Sequence, residues 1–335
     1  MMTKKERVYQ AIQHKNADIV PYHVFFTIPA LEKTQKYYND IDLESKIGNH
    51  LLCLNPFLPF KEIKKGYFRD EFGVVWNKSI DEDIGNPENC VIQSKADLDE
   101  LVMPTIKDDA RFNDFKTLIK KNNDQFVLCD FGFSLFERAW TMRGMENVLC
   151  DMACDGKFIE TFLDRLLEWD LNMMDYIVKY DVDGIFFGDD WGQQQGLIMG
   201  PAHWRKYIKP RIAKLYARAG QHEKMVFIHS CGDIEEILPD LIEAGVDVLN
   251  PFQPEAFDIY KIKKSYGDKI SFFGGMSTQK VLPFGSPEDV RKETRKLLKE
   301  IGNNGGYIFS PAHSIPKDVS VENMVAMLEV LQNQR

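Results

Sequence analysis

Apolar residues along this chain gather in short β-branched or aromatic runs of four to eight residues, most of them followed by a stripe at helical spacing. The second half shows the alternation most clearly. VDGIFFGDD (182–190) precedes a helical pattern over 201–220, and KMVFIHS (224–230) precedes one over 234–245. VDVLNPF (246–252) leads into 258–267, ISFFGGM (270–276) into 286–302, and YIFSPAH (307–313) into 320–334. The run at 286–302 has the clearest start. Ser286 is the N-cap, Pro287 gives up an N–H that had no partner, and Glu288 and Asp289 face the positive end of the helix dipole. Strands alternating with helices of this length predict right-handed βαβ units and a parallel sheet.

The first half is less regular. VPYHVFF (20–26), HLLCL (50–54) and QFVLCDFG (125–132) complete eight strand candidates, the number that a closed (β/α)8 barrel requires. GYFRDEFGVVWNKS (66–79) predicts a hairpin excursion near the barrel mouth, and the residues before the first strand predict a helical extension. No G-x-G-x-x-G follows the first strand, which argues against an open doubly wound sheet. The expectation is an α/β chain forming one (β/α)8 TIM-barrel domain over residues 1–335.

Chemistry in such barrels sits at the C-terminal ends of the strands. Polar or metal-capable residues recur there: Asp189-Asp190-Trp191, His229-Ser230-Cys231, Asn250-Pro251-Phe252-Gln253, Gly274-Gly275-Met276 and Ala312-His313. Imidazole and thiolate are preferred zinc ligands, so His229 and Cys231 on one strand end are a candidate pair, with His313 as the third ligand. Three protein ligands leave a fourth position open, as a catalytic zinc requires. The other reading of the pair is a strand-end histidine beside a buried, inert cysteine. Asp189 and Asp190 are candidate catalytic residues, as general base, as orienters of a ligating histidine or as a fourth ligand. His23, Trp191, Gln253 and Met276 are candidate substrate contacts, and Phe131, Phe133, Phe136 and Trp140 are aromatics that can line a pocket or belong to the core.

Composition narrows the function classes. With 42 Lys+Arg against 51 Asp+Glu the chain carries a formal charge of −9 and has no basic stripe, so a nucleic-acid platform is not expected. No apolar run reaches membrane-spanning length, and the opening MMTKKERVYQAIQHKNAD lacks the apolar stretch of a signal peptide. The six cysteines are scattered without a disulfide spacing, so a reducing cytoplasm is the expected location.

The stretches GDDWGQQQGLIMGPAHWRKYIKP (188–210), FIHSCGDIEEILPDLIEAGVDVLNPFQP (227–254), FFGGMSTQKVLPFGSPEDV (272–290) and GGYIFSPAHSIPKDVSVENMVAM (305–327) resemble the uroporphyrinogen decarboxylase superfamily of (β/α)8 barrels. DEFGVVW (70–76) and the segment 4–24 resemble it as well. True decarboxylases of this superfamily carry an Arg-bearing RQAGR-like segment after the first strand, where this chain has HVFFTIPALEK (23–33) without arginine. The zinc-dependent corrinoid methyltransferases of the superfamily carry His-x-Cys followed by a distant Cys. His229 and Cys231 match the first two positions, and His313 stands near the third.

The resemblance thus implies a zinc-dependent methyltransferase. It would exchange a methyl group between a small substrate, such as a methoxylated aromatic or a thiol acceptor, and a corrinoid (cobalamin) carried by a partner protein. The alternatives are a metal-free carboxy-lyase that binds substrate carboxylates through Arg138, Arg143 and Arg205, and a corrinoid- or ligand-binding barrel without turnover.

Overall fold

The computed structural model describes residues 1–80, 83, 85–107 and 109–334. Its strands in chain order are β1 (Leu51–Leu54), β2 (Lys61–Lys64), β3 (Tyr67–Arg69), β4 (Val75–Asn77), β5 (Asn86–Pro87), β6 (Phe126–Phe131), β7 (Gly184–Gly188), β8 (Met225–His229), β9 (Val248–Phe252), β10 (Ser271–Met276) and β11 (Tyr307–Pro311). Seven of them form a parallel sheet in the order β1-β6-β7-β8-β9-β10-β11, with helices between successive strands. This is a TIM-barrel-like α/β fold.

The sheet is joined across its two edges by the segment 21–27. Tyr22 and Phe26 make parallel bridges to Phe309 and Ile315, while the carbonyl of Tyr22 accepts from the N–H of His50 at 3.0 Å. The sequence predicts a continuous strand here, and the structure interrupts it. Pro21 has no N–H, and Val24 N–H donates to the Asn49 side chain at 2.8 Å rather than to a neighbouring backbone.

Period-two alternation sorts the strand residues. Leu51, Phe126, Leu128, Phe186, Phe227, Val248, Phe273 and Ile308 point inward and pack with Val8, Ala11 and Ile12. These last three come from the predicted N-terminal extension, a helix over Lys4–Ile12 that closes the bottom of the barrel. Lys5 Nζ and Tyr9 Oη hold it to Asp183 at 2.8 and 2.9 Å. The intervening residues, including Cys129, Phe131, Phe187, Ile228, Leu249 and Phe272, pack against the helical layer. The apolar filling stops one layer short of the top, where the next inward residues are Asp130, Gly188, His229 and Asn250.

The predicted hairpin is present as β3 and β4 and is larger than expected, because β2 and β5 extend it to four antiparallel strands. Trp76 of β4 meets the Phe133 ring edge-on at 5.3 Å, which ties this sheet to the barrel mouth. The helix predicted over 201–220 contains a π-helical turn at Trp204–Ile208 just ahead of Pro210, whose missing N–H interrupts the regular ladder. Ser286 caps the helix Pro287–Glu300 as expected, in a reciprocal box with Asp289. Among the described residues no helix is long and apolar enough to cross a membrane.

Candidate metal centre

At the C-terminal end of β8 the chain turns sharply through Ser230-Cys231-Gly232. Ser230 Oγ accepts from Trp191 N–H at 2.9 Å, and Asp190 Oδ1 accepts from Cys231 N–H at 2.8 Å. Gly232 has φ +82°, and a Cβ there would stand 2.4 Å from the carbonyl carbon of Gly192. Only glycine allows the two loops to close this tightly, and that closure brings Cys231 back toward His229.

His229, Cys231 and His313 converge. One ligand atom from each lies within 4.8 Å of the other two, and Cys231 Sγ is 3.3 Å from His229 Nε2. Tetrahedral zinc with bonds of about 2.1 and 2.3 Å separates a nitrogen and a sulfur ligand by about 3.6 Å, so a small outward shift of the pair accommodates that ion.

A second layer of contacts sets the protonation of the imidazole. Asn250 Nδ2 donates to the carbonyl of Phe273 at 2.9 Å, which turns its Oδ1 toward His229 Nδ1, 2.6 Å away. His229 therefore donates from Nδ1 and presents the lone pair of Nε2 to Cys231 and His313. Burial, with the carboxyls of Asp190 and Glu137, pushes the Cys231 thiol well above its ordinary pKa. A thiolate here needs a cation beside it. Burial and the neighbouring His229 hold the His313 pKa below its usual value, keeping that ring neutral. The donor set, its spacing and the fixed tautomer all fit a zinc ion.

Beneath the trio lies a cavity of about 250 Å³ walled by Phe25, Phe133 and Phe186 and by the carboxyls of Asp130, Glu137 and Asp190. Burial raises Asp130 to about 6, against a lowering by His229. Burial and the adjacent Asp190 and Asp189 raise the Glu137 pKa well above its ordinary value, which favours the protonated form. A second cavity of about 410 Å³ opens on the other side of the trio, shares Cys231 and His313, and carries Gln193, Gln194, Gln253 and Gln279.

The candidate residues from the sequence divide three ways. His229, Cys231, His313 and Asp190 meet at the mouth, with Asp190 Oδ1 3.7 Å from His229 Nε2. Gln253 lines the second cavity and accepts from Gly232 N–H. Asp189, Trp191, Met276 and His23 are elsewhere.

Asp189 is fully buried, accepts from the N–H groups of Phe136 and Glu137 and from Trp191 Nε1, and so anchors the helix Leu135–Arg143 instead of facing substrate. Burial lifts its pKa to about 7. Trp191 packs edge-on against Trp204 at 5.3 Å, and Met276 is fully buried in the core. His23 lies inside the barrel between Phe25 and Phe273, and burial depresses its pKa to about 3. Of the aromatics, Phe133 reaches the cavity, whereas Phe131 and Phe136 are core.

The sequence pattern does not single out Asp130 or Glu137, and it notes Asn250 at its strand end without giving it a role. Asp130 and Glu137 are acids inside the mostly apolar run VLCDFGFSLFERAW, and Asn250 stands near the end of β9. That placement was the signal available for each.

A family model described as "Uroporphyrinogen decarboxylase (URO-D)" matches residues 80–334. The uroporphyrinogen decarboxylase of Chlorobium limicola is 25% identical over 276 residues, which cover 77% of this chain and 75% of that protein. The one from Psychromonas ingrahamii is 22% identical over 246 residues, 69% and 66% of the two chains. Among solved structures, a methyltransferase from Methanosarcina mazei aligns over 100% of this chain and 99% of its own with a TM-score of 0.75 at 16% identity, a likeness of fold. With a family match over well more than half its length, and the barrel to go with it, this chain belongs to the uroporphyrinogen decarboxylase (URO-D) family of enzymes.

Proposed function

We propose that this enzyme moves a methyl group between a small methylated substrate or thiol acceptor and a corrinoid carried by a partner protein, with zinc held by His229, Cys231 and His313. The observation that carries the reading is the convergence of those three ligand atoms within 4.8 Å at the barrel mouth. When bound, zinc supplies a Lewis acid for the heteroatom that bears or receives the methyl group, and the corrinoid serves as methyl carrier.

The chain's own residues do the rest. Asn250 holds the His229 ring in register through Nδ1. Asp190 accepts from Cys231 N–H and from its thiol, and so positions Sγ beside His229. Phe25, Phe133 and Phe186 wall the cavity with apolar surface, and the carboxyl of Glu137 lines it beside Asp190. The solved methyltransferase of the same fold is compatible with this chemistry.

The carboxy-lyase reading follows the names of the relatives in sequence, and it requires cations for substrate carboxylates. Its three candidates are otherwise engaged. Arg138 pairs with buried Asp70 at 2.9 Å, Arg143 with Asp151 at 3.0 Å, and Arg205 with Asp240 at 3.0 Å. Neither cavity beside the trio includes a lysine or arginine among its lining residues.

The test is zinc per chain in protein purified without an affinity tag, together with His229→Ala, Cys231→Ala and His313→Ala. It is joined to single-turnover methyl transfer to a Co(I) corrinoid. One zinc per chain, lost in the variants, with methyl transfer in the parent, is the expected result. A parent that takes up no zinc on dialysis and decarboxylates a porphyrinogen would overturn the proposal, and zinc with ligand binding but no turnover would leave the non-catalytic barrel.

A further inference from the structure

The inner cavity carries information about what it binds. Its three aromatic walls present ring faces or edges, and its ionisable lining residues apart from the two histidines are carboxyls. Of these, Glu137 receives Asp190 N–H and Asp190 receives Cys231 N–H, so both are hydrogen-bonded within the protein. Asp130 is different. It is the last inward-facing residue of β6, two positions above core Leu128, and it faces the cavity; among the described residues none donates a hydrogen bond to its carboxylate. A carboxylate in that setting has lost much of its hydration and gains a partner only from whatever enters.

Charge points the same way. With zinc in place, its two positive charges are matched by the Cys231 thiolate and the Asp190 carboxylate, and the Asp130 charge is left over. An incoming anion would meet that charge with no Lys or Arg in the lining to offset it, whereas a cation would gain the carboxylate and the neighbouring rings of Phe25, Phe133 and Phe186. A cavity of about 250 Å³ lies below the roughly 300–1,000 Å³ of pockets that hold drug-sized ligands, so it suits a small molecule.

Resting on the methyl-transfer reading, we infer that the small substrate is a methylated compound bearing a protonated amine, which donates to Asp130 while the methylated heteroatom points to the His229–Cys231–His313 trio. Anionic methylated compounds are poor ligands of this site.

The test uses zinc-loaded protein at neutral pH, titrated calorimetrically with three molecules of one shape: meta-methoxybenzylamine, meta-methoxybenzyl alcohol and meta-methoxybenzoate. The amine should bind about tenfold or more tighter than the benzoate, with the alcohol between them. Asp130→Asn should lower amine affinity to about that of the alcohol and leave zinc content unchanged. The probe series in the parent protein stands even if the variant folds poorly. A benzoate that binds as tightly as the amine, no measurable amine binding at millimolar concentration, or an unchanged amine affinity in a folded Asp130→Asn protein would each overturn the inference. Protein without zinc that keeps the amine preference would sink the metal mechanism and leave the ligand class standing; one zinc per chain with a benzoate preference would do the reverse.

Discussion

Replacing Asn250 by alanine removes two hydrogen bonds that act on different properties. The first, 2.6 Å between Oδ1 and His229 Nδ1, fixes the tautomer and the rotation of the imidazole. Ligands of this kind lose about 10–100-fold in metal affinity when their outer partner is removed, or ~1.4–2.8 kcal/mol. The second, from Nδ2 to the carbonyl of Phe273, serves a stretch where the β9–β10 pairing shifts register between Phe272 and Gly274. That carbonyl is left without its donor, at about 1–3 kcal/mol of folding stability. Zinc affinity is read by competition with a chromophoric chelator, and stability by urea denaturation of the metal-free protein. Asn250→Asp keeps an acceptor for Nδ1 and should keep zinc affinity near that of the parent. If Asn250→Ala loses stability as expected yet binds zinc within about twofold of the parent, the argument that the outer contact poises His229 is refuted.

Other outcomes follow from the same geometry. Asp130, raised to about 6 by burial, binds its proton more tightly in the folded chain than in the unfolded one. Stability should therefore fall as pH rises from about 4 to about 6, and Asp130→Asn should flatten that slope by ~2–3 kcal/mol in urea titrations. Arg138→Ala strands Asp70 as a buried, uncompensated charge and should cost about 3–5 kcal/mol, whereas a loss below about 1 kcal/mol would mean that Arg138 is not committed to structure. Gly232→Ala forces a Cβ into the Gly192 backbone at positive φ, and should weaken zinc binding by displacing Cys231 while the far-ultraviolet spectrum stays that of the parent.

Much of the candidate site is legible in residue order because a parallel barrel puts every strand end on one face. His229-x-Cys231 and His313 stand at the ends of strand patterns visible in the second half, so the fold class alone places them on one face of the barrel. Asp189 and Asp190 show the limit of that reasoning. Neighbours in sequence on an extended chain point to opposite sides, so Asp190 reaches the trio while Asp189 turns to the N–H groups of Phe136 and Glu137. Nothing in a dipeptide says which of the two faces the mouth. The arginines misled for a related reason, since their partners Asp70, Asp151 and Asp240 are remote in sequence or on another element.

The sequence by itself determined the alternation of strands and helices and the metal-capable residues at strand ends. These are local properties, set by a periodicity of two, by caps such as Ser286 and by residue chemistry. Tertiary structure decided what depends on distance: the interrupted pairing of segment 21–27, the helix Lys4–Ile12 as floor of the barrel, the Asn250 bond that orients His229, and the placement of Asp130 against an aromatic cavity. Hydrogen-bond partners and desolvation come from whichever elements closure brings together, and no window of the chain contains both sides of such a contact.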